Sequence, residues 1–569
     1  MSIAIPGPGA ATVARRLSRA ELKSARQTFS DPSNALTRLA EEFGVADEIE
    51  VIESIGVSLD IPVVDLSSLS VDDSILDEFP MRLIHRHSVF PIERSPDELT
   101  LVVSNPFDIQ GPDAVAAATG LFVKPVLALR HEVMALIKSH LGVGAQTLDG
   151  LMAQAEEPDD GLEVVGDLEF DESEASTMAQ EASVVRLVND ILVEAVKSRT
   201  SDIHMEVQES GIKIRYRIDG VLQTQPVPVE LNRFQAAIIS RLKIMAHLNI
   251  AEKRVPQDGR IKIRVSGREV DIRVSIIPML HGESVVMRVL DKDAMSFSLA
   301  GIGMEEDINE QFQRLIRMPH GIVLVTGPTG SGKTTTLYSS LAEIRSERNK
   351  IITTEDPIEY QLEGINQIQV NHKVGLTFAA SLRSILRHDP DVVLVGEIRD
   401  FETAENAVQA SLTGHMVFST LHTNDAAGAF MRLVDMGVEP FLVASTVEGI
   451  LAQRLVRRLC TECREEYKPR YDEVPGDFPF DEVAYGATIY RPVGCRSCRG
   501  TGFSGRMGIY ELLETNDEVR KLAHDKTGTD EIRKAAVAGG MKTLRDDGWR
   551  KVIRGLTSID EVLRVTKAD

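Results

Sequence analysis

Long apolar runs are absent from this chain. No segment supplies about 18 consecutive uncharged apolar residues, the length a bilayer-crossing helix requires. The opening Met1-Ser2-Ile3-Ala4-Ile5-Pro6 has no basic stretch ahead of an apolar core, so neither export nor membrane insertion is expected. The expectation is a soluble, cytoplasmic machine. Basic residues are the second shortage: 63 Lys and Arg stand against 86 Asp and Glu, a formal charge of −23. Twelve of the acidic residues fall between 139 and 185, where there is no Lys or Arg. The rest of the chain is then only mildly acidic, and it lacks the excess of cations with which DNA- and RNA-binding proteins neutralise phosphates. No nucleic-acid partner is expected. Cysteine occurs only four times, and in a cytosolic chain this speaks against a disulfide framework.

What is present is dominated by Gly327-Pro328-Thr329-Gly330-Ser331-Gly332-Lys333-Thr334. The apolar run Ile322-Val323-Leu324-Val325 precedes it and Thr335-Thr336-Leu337-Tyr338 follows, which reads as strand, loop, helix. The glycines let successive N–H groups turn inward around phosphate oxygens, Lys333 adds charge near the β- and γ-phosphates, and the Thr334 hydroxyl can ligate Mg²⁺ at a helix N-terminus. A nucleoside triphosphate site, with ATP and Mg²⁺, is predicted.

A chain of 569 residues exceeds what one core covers, and three or four domains are expected. Residues 1–145 read as a small α/β docking domain, with a helical pattern at Ala35 to Phe43 and strands at Val63-Val64-Asp65-Leu66 and Leu99 to Val103. Its scattered His85, His87 and His131 have no local Cys or carboxylate pattern and are read as structural. Residues 146–182 form an acidic linker, including Glu156-Glu157-Pro158-Asp159-Asp160, too poor in apolar surface to offset its ordering entropy. A middle domain spans 183–292, with Ser183 as the expected N-cap of a helix carrying Leu187, Val188, Ile191 and Leu192 at helical spacing. The alternation in Ile212 to Ile218 and Arg260 to Val265 predicts half-exposed strands with arginines on the wet face and a turn at Asp219-Gly220. Such arginines either solvate a sheet or clamp phosphates.

Residues 293–569 hold the nucleotide engine. Asp391-Val392-Val393-Leu394-Val395-Gly396-Glu397 reads as a buried parallel strand expected beside the P-loop strand, delivering Glu397 to the attacking water. Gly396 stands where many such enzymes place a Mg²⁺-binding aspartate. Ile351 to Thr354 leads into a second acidic group, Glu355, Asp356 and Glu359, for which a turn role is the plainer reading. Met416 to Thr420 leads to His422, placed either to sense the γ-phosphate or to cap the next helix. All four cysteines lie within 39 residues as Cys460-x-x-Cys463 and Cys495-x-x-Cys498, a pattern suited to structural Zn²⁺ in a module at about 455–510. The 31 intervening residues are expected to form an ordered loop or helix.

In this order the motifs resemble those of the bacterial type II secretion and type IV pilus assembly ATPases, over residues about 183 to 569. The resemblance is carried by Ser201-Asp202-Ile203-His204-Met205-Glu206, Ile250 to Arg260, the P-loop, Thr354 to Glu359, Gly396-Glu397-Ile398-Arg399-Asp400 and Ser419 to Ala426. It implies a multidomain α/β fold with a RecA-like ATPase domain, a PAS-like middle domain and C-terminal helices, assembled as a homohexamer. It assigns catalytic roles to Glu397, Lys333, Glu355, Arg273 and Arg288, and places Asp356, Glu359 and His422 at the nucleotide. The four cysteines match the family's zinc module. The first domain would dock on inner-membrane secretion or pilus platform proteins, giving peripheral membrane association. Residues 1–145 contain no pair of Arg-Leu-Gly motifs, so cyclic di-GMP is not expected as a ligand. Driving pseudopilus assembly and export is the leading function. Pilus extension is the alternative, ahead of a nucleic-acid motor and a non-catalytic scaffold.

Overall fold

The computed structural model describes residues 15–141, 162–164 and 182–567, apart from 30–34, 46, 67–70, 72, 77–78, 228, 292–296, 485 and 496. The acidic linker thus lies outside the described residues, save for one three-residue strand. Two compact units divide the chain after Asp291.

The first unit contains two cores. Around Ile52, Ile55, Phe90, Leu101 and Val126, helices Ala35–Phe43 and Glu48–Leu59 pack with a three-stranded sheet of β1 (Val89–Arg94), β2 (Glu98–Val103) and β3 (Phe122–Leu127). β2 and β3 are parallel, joined through helix Gln110–Thr119. The expected strand at 63–66 is reduced to one bridge between Val63 and Leu127. His87 Nδ1 pairs with Asp108 at 3.0 Å, which accounts for that histidine without a metal.

The second core lies under a seven-stranded antiparallel sheet. Its strands are β4 (Leu162–Val164), β5 (Thr200–Gln208), β6 (Gly211–Ile218), β7 (Val221–Gln225), β8 (Gln257–Val265), β9 (Arg268–Met279) and β10 (Gly282–Asp291), in the order β4-β8-β9-β10-β5-β6-β7. The strand from the linker therefore extends one edge. Alternation works as the sequence requires: Ile212, Ile214 and Tyr216 point inward between partly exposed charged residues, and the Tyr216 hydroxyl donates to the Ile191 carbonyl at 2.8 Å. Helix Ala182–Lys197 supplies that carbonyl. It begins one residue before Ser183, which lies inside the helix instead of capping it. Asp219 and Gly220 both adopt positive φ, as the two-residue β6–β7 turn demands.

The second unit is built on β11 (Gly321–Thr326), β12 (Ile351–Glu355), β13 (Asn366–Gln369), β14 (Val392–Val395), β15 (Met416–Leu421), β16 (Val447–Leu459) and, after two short strands, β19 (Phe503–Glu514). The order is β13-β12-β14-β15-β11-β16-β19, parallel throughout except for the β16–β19 pair. Helices cover both faces, which is why β11, β14 and β15 are continuous apolar runs and not alternating ones. β15 inserts between β11 and β14. The expectation that the Glu397 strand adjoins the P-loop strand is thus corrected, because an apolar run encodes burial and not position in the sheet.

The cysteine segment interrupts the β16–β19 hairpin. Between the two Cys pairs the chain forms β17 (Glu465–Tyr467), a short helix Phe480–Ala484 and β18 (Ile489–Arg491). Phe478 and Ile489 of this insert share a small core with Trp549 and Val552 of helix Leu544–Ile553. The single tryptophan donates its indole N–H to Asp477 at 3.0 Å. No helix among the described residues is long and apolar enough to cross a membrane.

Candidate functional site

The C-terminal ends of β11, β12, β14 and β15 bring together residues far apart in sequence, the position where open parallel sheets hold ligands. Gly327 to Gly332 turn from the end of β11 into helix Lys333–Ile344. Gly327 has φ +148°, and a Cβ there would lie 2.6 Å from the Gln453 carbonyl oxygen, so the close approach of β16 requires glycine. Pro328, Thr329, Gly330 and Thr334 are exposed, whereas Ser331 is buried. Lys333 Nζ donates to the carbonyls of Gly327 (2.7 Å) and Pro328 (3.1 Å), folding the side chain back over its own loop. Burial pushes its ammonium down to about 8, with Glu397 opposing the shift and Arg454 adding to it.

Glu397 follows β14 with its side chain 14% exposed. Arg399 Nε lies 2.7 Å from Oε2, and His422 Nε2 lies 3.4 Å from the same oxygen. The pairing with Glu397 raises the Arg399 pKa. His422 thus meets the candidate catalytic carboxylate. Its loop is tied to the P-loop strand by Thr423, whose N–H donates to Thr326 Oγ1 at 2.9 Å. At Gly396 a Cβ would press within 3.2 Å of both Phe378 and the Thr354 carbonyl. A side chain at this point would therefore crowd the end of β12 and the Phe378 ring.

Glu355 is deeply buried at the end of β12. Its carboxylate accepts from the Tyr338 hydroxyl, the Thr353 hydroxyl and Gln367 Nε2 (3.1 Å). Burial and the Glu355 charge push the Tyr338 hydroxyl's pKa up, so it stays a donor. Asp356 is exposed and pairs with His372 Nε2 at 3.3 Å. Glu359 is partly exposed nearby in sequence.

Two polar residues on β16, Gln453 and Arg454, belong to the Leu451-Ala452-Gln453-Arg454-Leu455 stretch that resembles the secretion ATPases, but the sequence assigned them no role. Gln453, almost fully buried, donates from Nε2 to the Ser331 carbonyl at 2.6 Å and accepts from Thr336 Oγ1 at 2.8 Å. It therefore braces the loop and the first helical turn together across more than 110 residues of chain. Arg454 follows it. The available signal was a polar pair inside the apolar run Ile450-Leu451-Ala452-Gln453-Arg454-Leu455-Val456.

In the first unit, Arg273 lies on β9 opposite Arg288 on β10, with Arg260 opposite Arg273 and Asp202 opposite Arg288. Arg288 Nε donates to Asp202 Oδ1 at 3.1 Å. These residues line a cavity of about 440 Å³ together with Asp258.

The four cysteine sulfurs all lie within 4.8 Å of one another. The separations Cys460–Cys495, Cys463–Cys498 and Cys495–Cys498 are 3.8, 3.7 and 3.7 Å. A tetrahedral ion with metal–sulfur bonds of about 2.3 Å gives S···S edges of about 3.8 Å. The cluster fits a thiolate metal site. Burial acts against ionisation of Cys498, yet the N–H groups of Cys495 and Gly502, donating at 3.1 and 3.2 Å, hold it down at about 7. Burial pushes Cys463 up to about 12.

Comparison with known proteins adds the following. Residues 177–564 match the family model described as Type II/IV secretion system protein, and residues 59–147 match the MshEN domain. Type II secretion system protein E of Xanthomonas campestris pv. campestris is 44% identical, covering 97% of this chain and 97% of its own length. The protein of the same description from Pseudomonas aeruginosa is 54% identical over 68% of this chain and 76% of its own. Type IV pilus assembly ATPase PilB of Myxococcus xanthus is 42% identical over 87% of each. Among solved structures, the pilus retraction motor PilT with bound ADP is 26% identical, spans 66% of this chain and 96% of its own, and has a TM-score of 0.45. The expectation that cyclic di-GMP is not a ligand is corrected here. The MshEN match at residues 59–147 overturns it. The absence of one spelled-out tripeptide could not carry the exclusion, because a domain match weighs the pattern of the whole folded segment.

Proposed function

Since this chain belongs to the Type II/IV secretion system protein family, we propose that it couples ATP hydrolysis to assembly of a pseudopilus and thereby to protein export. It is an ATP-hydrolysing enzyme, acting in the cytoplasm on membrane-bound secretion machinery. The observation that carries the reading is the convergence of Lys333, Glu397 and His422 at the C-terminal ends of the central strands of the second unit's sheet. Lys333 and the loop N–H groups would hold the β- and γ-phosphates, and Thr334 is the candidate Mg²⁺ ligand. Glu397 would orient the attacking water and accept its proton, with Arg399 and His422 fixing the carboxylate. Glu355 acts through its contacts, holding helix Lys333–Ile344 by Tyr338, while Asp356 and Glu359 are proposed to face the bound nucleotide. Arg273 and Arg288 are assigned to phosphate oxygens.

Zn²⁺ is the ion proposed for Cys460, Cys463, Cys495 and Cys498, as a structural clamp on the inserted module. The domains proposed are 1–145, 183–292 and 293–569. Cyclic di-GMP becomes the candidate ligand of residues 59–147.

The test of the enzymatic reading is Glu397→Gln. An amide cannot accept the proton, so hydrolysis should fall about 10²-fold or more while ATP binding persists. Phosphate release at the wild-type rate in this variant would remove Glu397 from catalysis.

A further inference from the structure

Arg454 is a half-buried cation with no carboxylate in ion-pair contact among the described residues. Its Nη2 donates to the Asn424 carbonyl at 2.9 Å and to Asn424 Oδ1 at 3.3 Å, and its Nη1 donates to the Gln453 carbonyl at 3.2 Å. All three acceptors are neutral. β16 runs parallel to β11 with Ala452 beside Thr326, so the next two residues of β16 travel alongside the phosphate loop. A Cβ placed on Gly327 would sit 3.1 Å from Arg454 Nη1. Burial lowers the pKa of Arg454, with Asp425 and Glu511 opposing the shift from a distance. Lys333 is depressed by burial as well, and Arg454 contributes to that shift. Two desolvated cations thus repel each other at the mouth of one loop, an arrangement that an anion would relieve.

We propose that Arg454 is a second cation of the phosphate site, contacting phosphate oxygens of a nucleoside triphosphate beside Lys333. This rests on the nucleotide-hydrolase reading given above. A guanidinium fork is suited to paired phosphate oxygens, and exchanging neutral carbonyl partners for a phosphate costs less than leaving a carboxylate. Because Asn424 belongs to the loop that carries His422, the same exchange would release that loop when phosphate binds.

The test uses the full chain. ATP and adenosine affinities are measured by calorimetry for wild type, Arg454→Met, Arg454→Lys and Lys333→Ala, each with a thermal melt. Arg454→Met should weaken ATP about tenfold or more, the scale of a charged hydrogen bond, with adenosine binding and melting temperature retained. Arg454→Lys should recover part of the loss. Unchanged ATP affinity in Arg454→Met overturns the proposal. So does a loss shared by adenosine, or one that accompanies a lowered melting temperature without recovery in Arg454→Lys. Equal ATP binding by wild type and Lys333→Ala would overturn the nucleotide reading itself, and this proposal with it.

Discussion

Arg273 and Arg288 stand directly opposite one another on two antiparallel strands. Arg260 faces Arg273 from the other side, and Asp202 is the acid that closes the row beside Arg288. Like charges in cross-strand pairs repel, and a polyanion bound over the row would offset that repulsion.

If that polyanion is the nucleotide, Arg273→Ala and Arg288→Ala should each cut turnover by about 10³-fold, the scale seen for arginines on transition-state phosphates. The sheet itself should lose no stability. Phosphate release, assayed after confirming the fold by circular dichroism, decides the matter: near-normal turnover in both variants would reduce the row to a solvated surface.

Lys333 gives the site a pH signature. Burial places its folded value at about 8 against the ordinary 10.5, below the unfolded value. Between about pH 8 and 10.5 the unfolded chain therefore binds more protons, and stability of the nucleotide-free protein rises with pH; below 8 the cost of burying the charge is present in full. Phosphate would favour the charged form. ATP affinity should then drop about tenfold from pH 7 to pH 9, following the protonated fraction of the free lysine. Calorimetry in buffers of different ionisation enthalpy reads the linked proton uptake. A flat profile would exclude the ammonium from phosphate binding.

Metal removal should act on structure and not on chemistry. Purified protein is expected to carry one Zn²⁺ per chain, and Cys498→Ser should abolish it, because it removes one of the four thiolates that would hold the ion. Melting temperature should fall by several degrees, with new proteolytic cuts between 464 and 494. Metal-free protein prepared without chelator, with all four thiols titrating freely, would defeat the assignment.

The chain's own order of residues determined much of this protein. The glycine spacing before Lys333 fixed the loop type, since only glycine accepts the positive φ and the 2.6 Å approach at Gly327. Alternation at Ile212 to Ile218 fixed an exposed face for the arginines, because side chains on a strand alternate with period two. The two Cys-x-x-Cys pairs marked a metal cluster, because that spacing lets two sulfurs of one turn share an ion. Tertiary structure alone decided the rest. Hydrophobicity records how deeply a strand is buried and not which strand lies beside it, so the insertion of β15 between β11 and β14 was invisible. So were the pairing of Arg399 and His422 on one oxygen of Glu397, the consumption of Glu355 by Tyr338, Thr353 and Gln367, and the brace from Gln453 to Ser331. Each of those contacts joins segments through the order of strands in a sheet, which local periodicity does not encode.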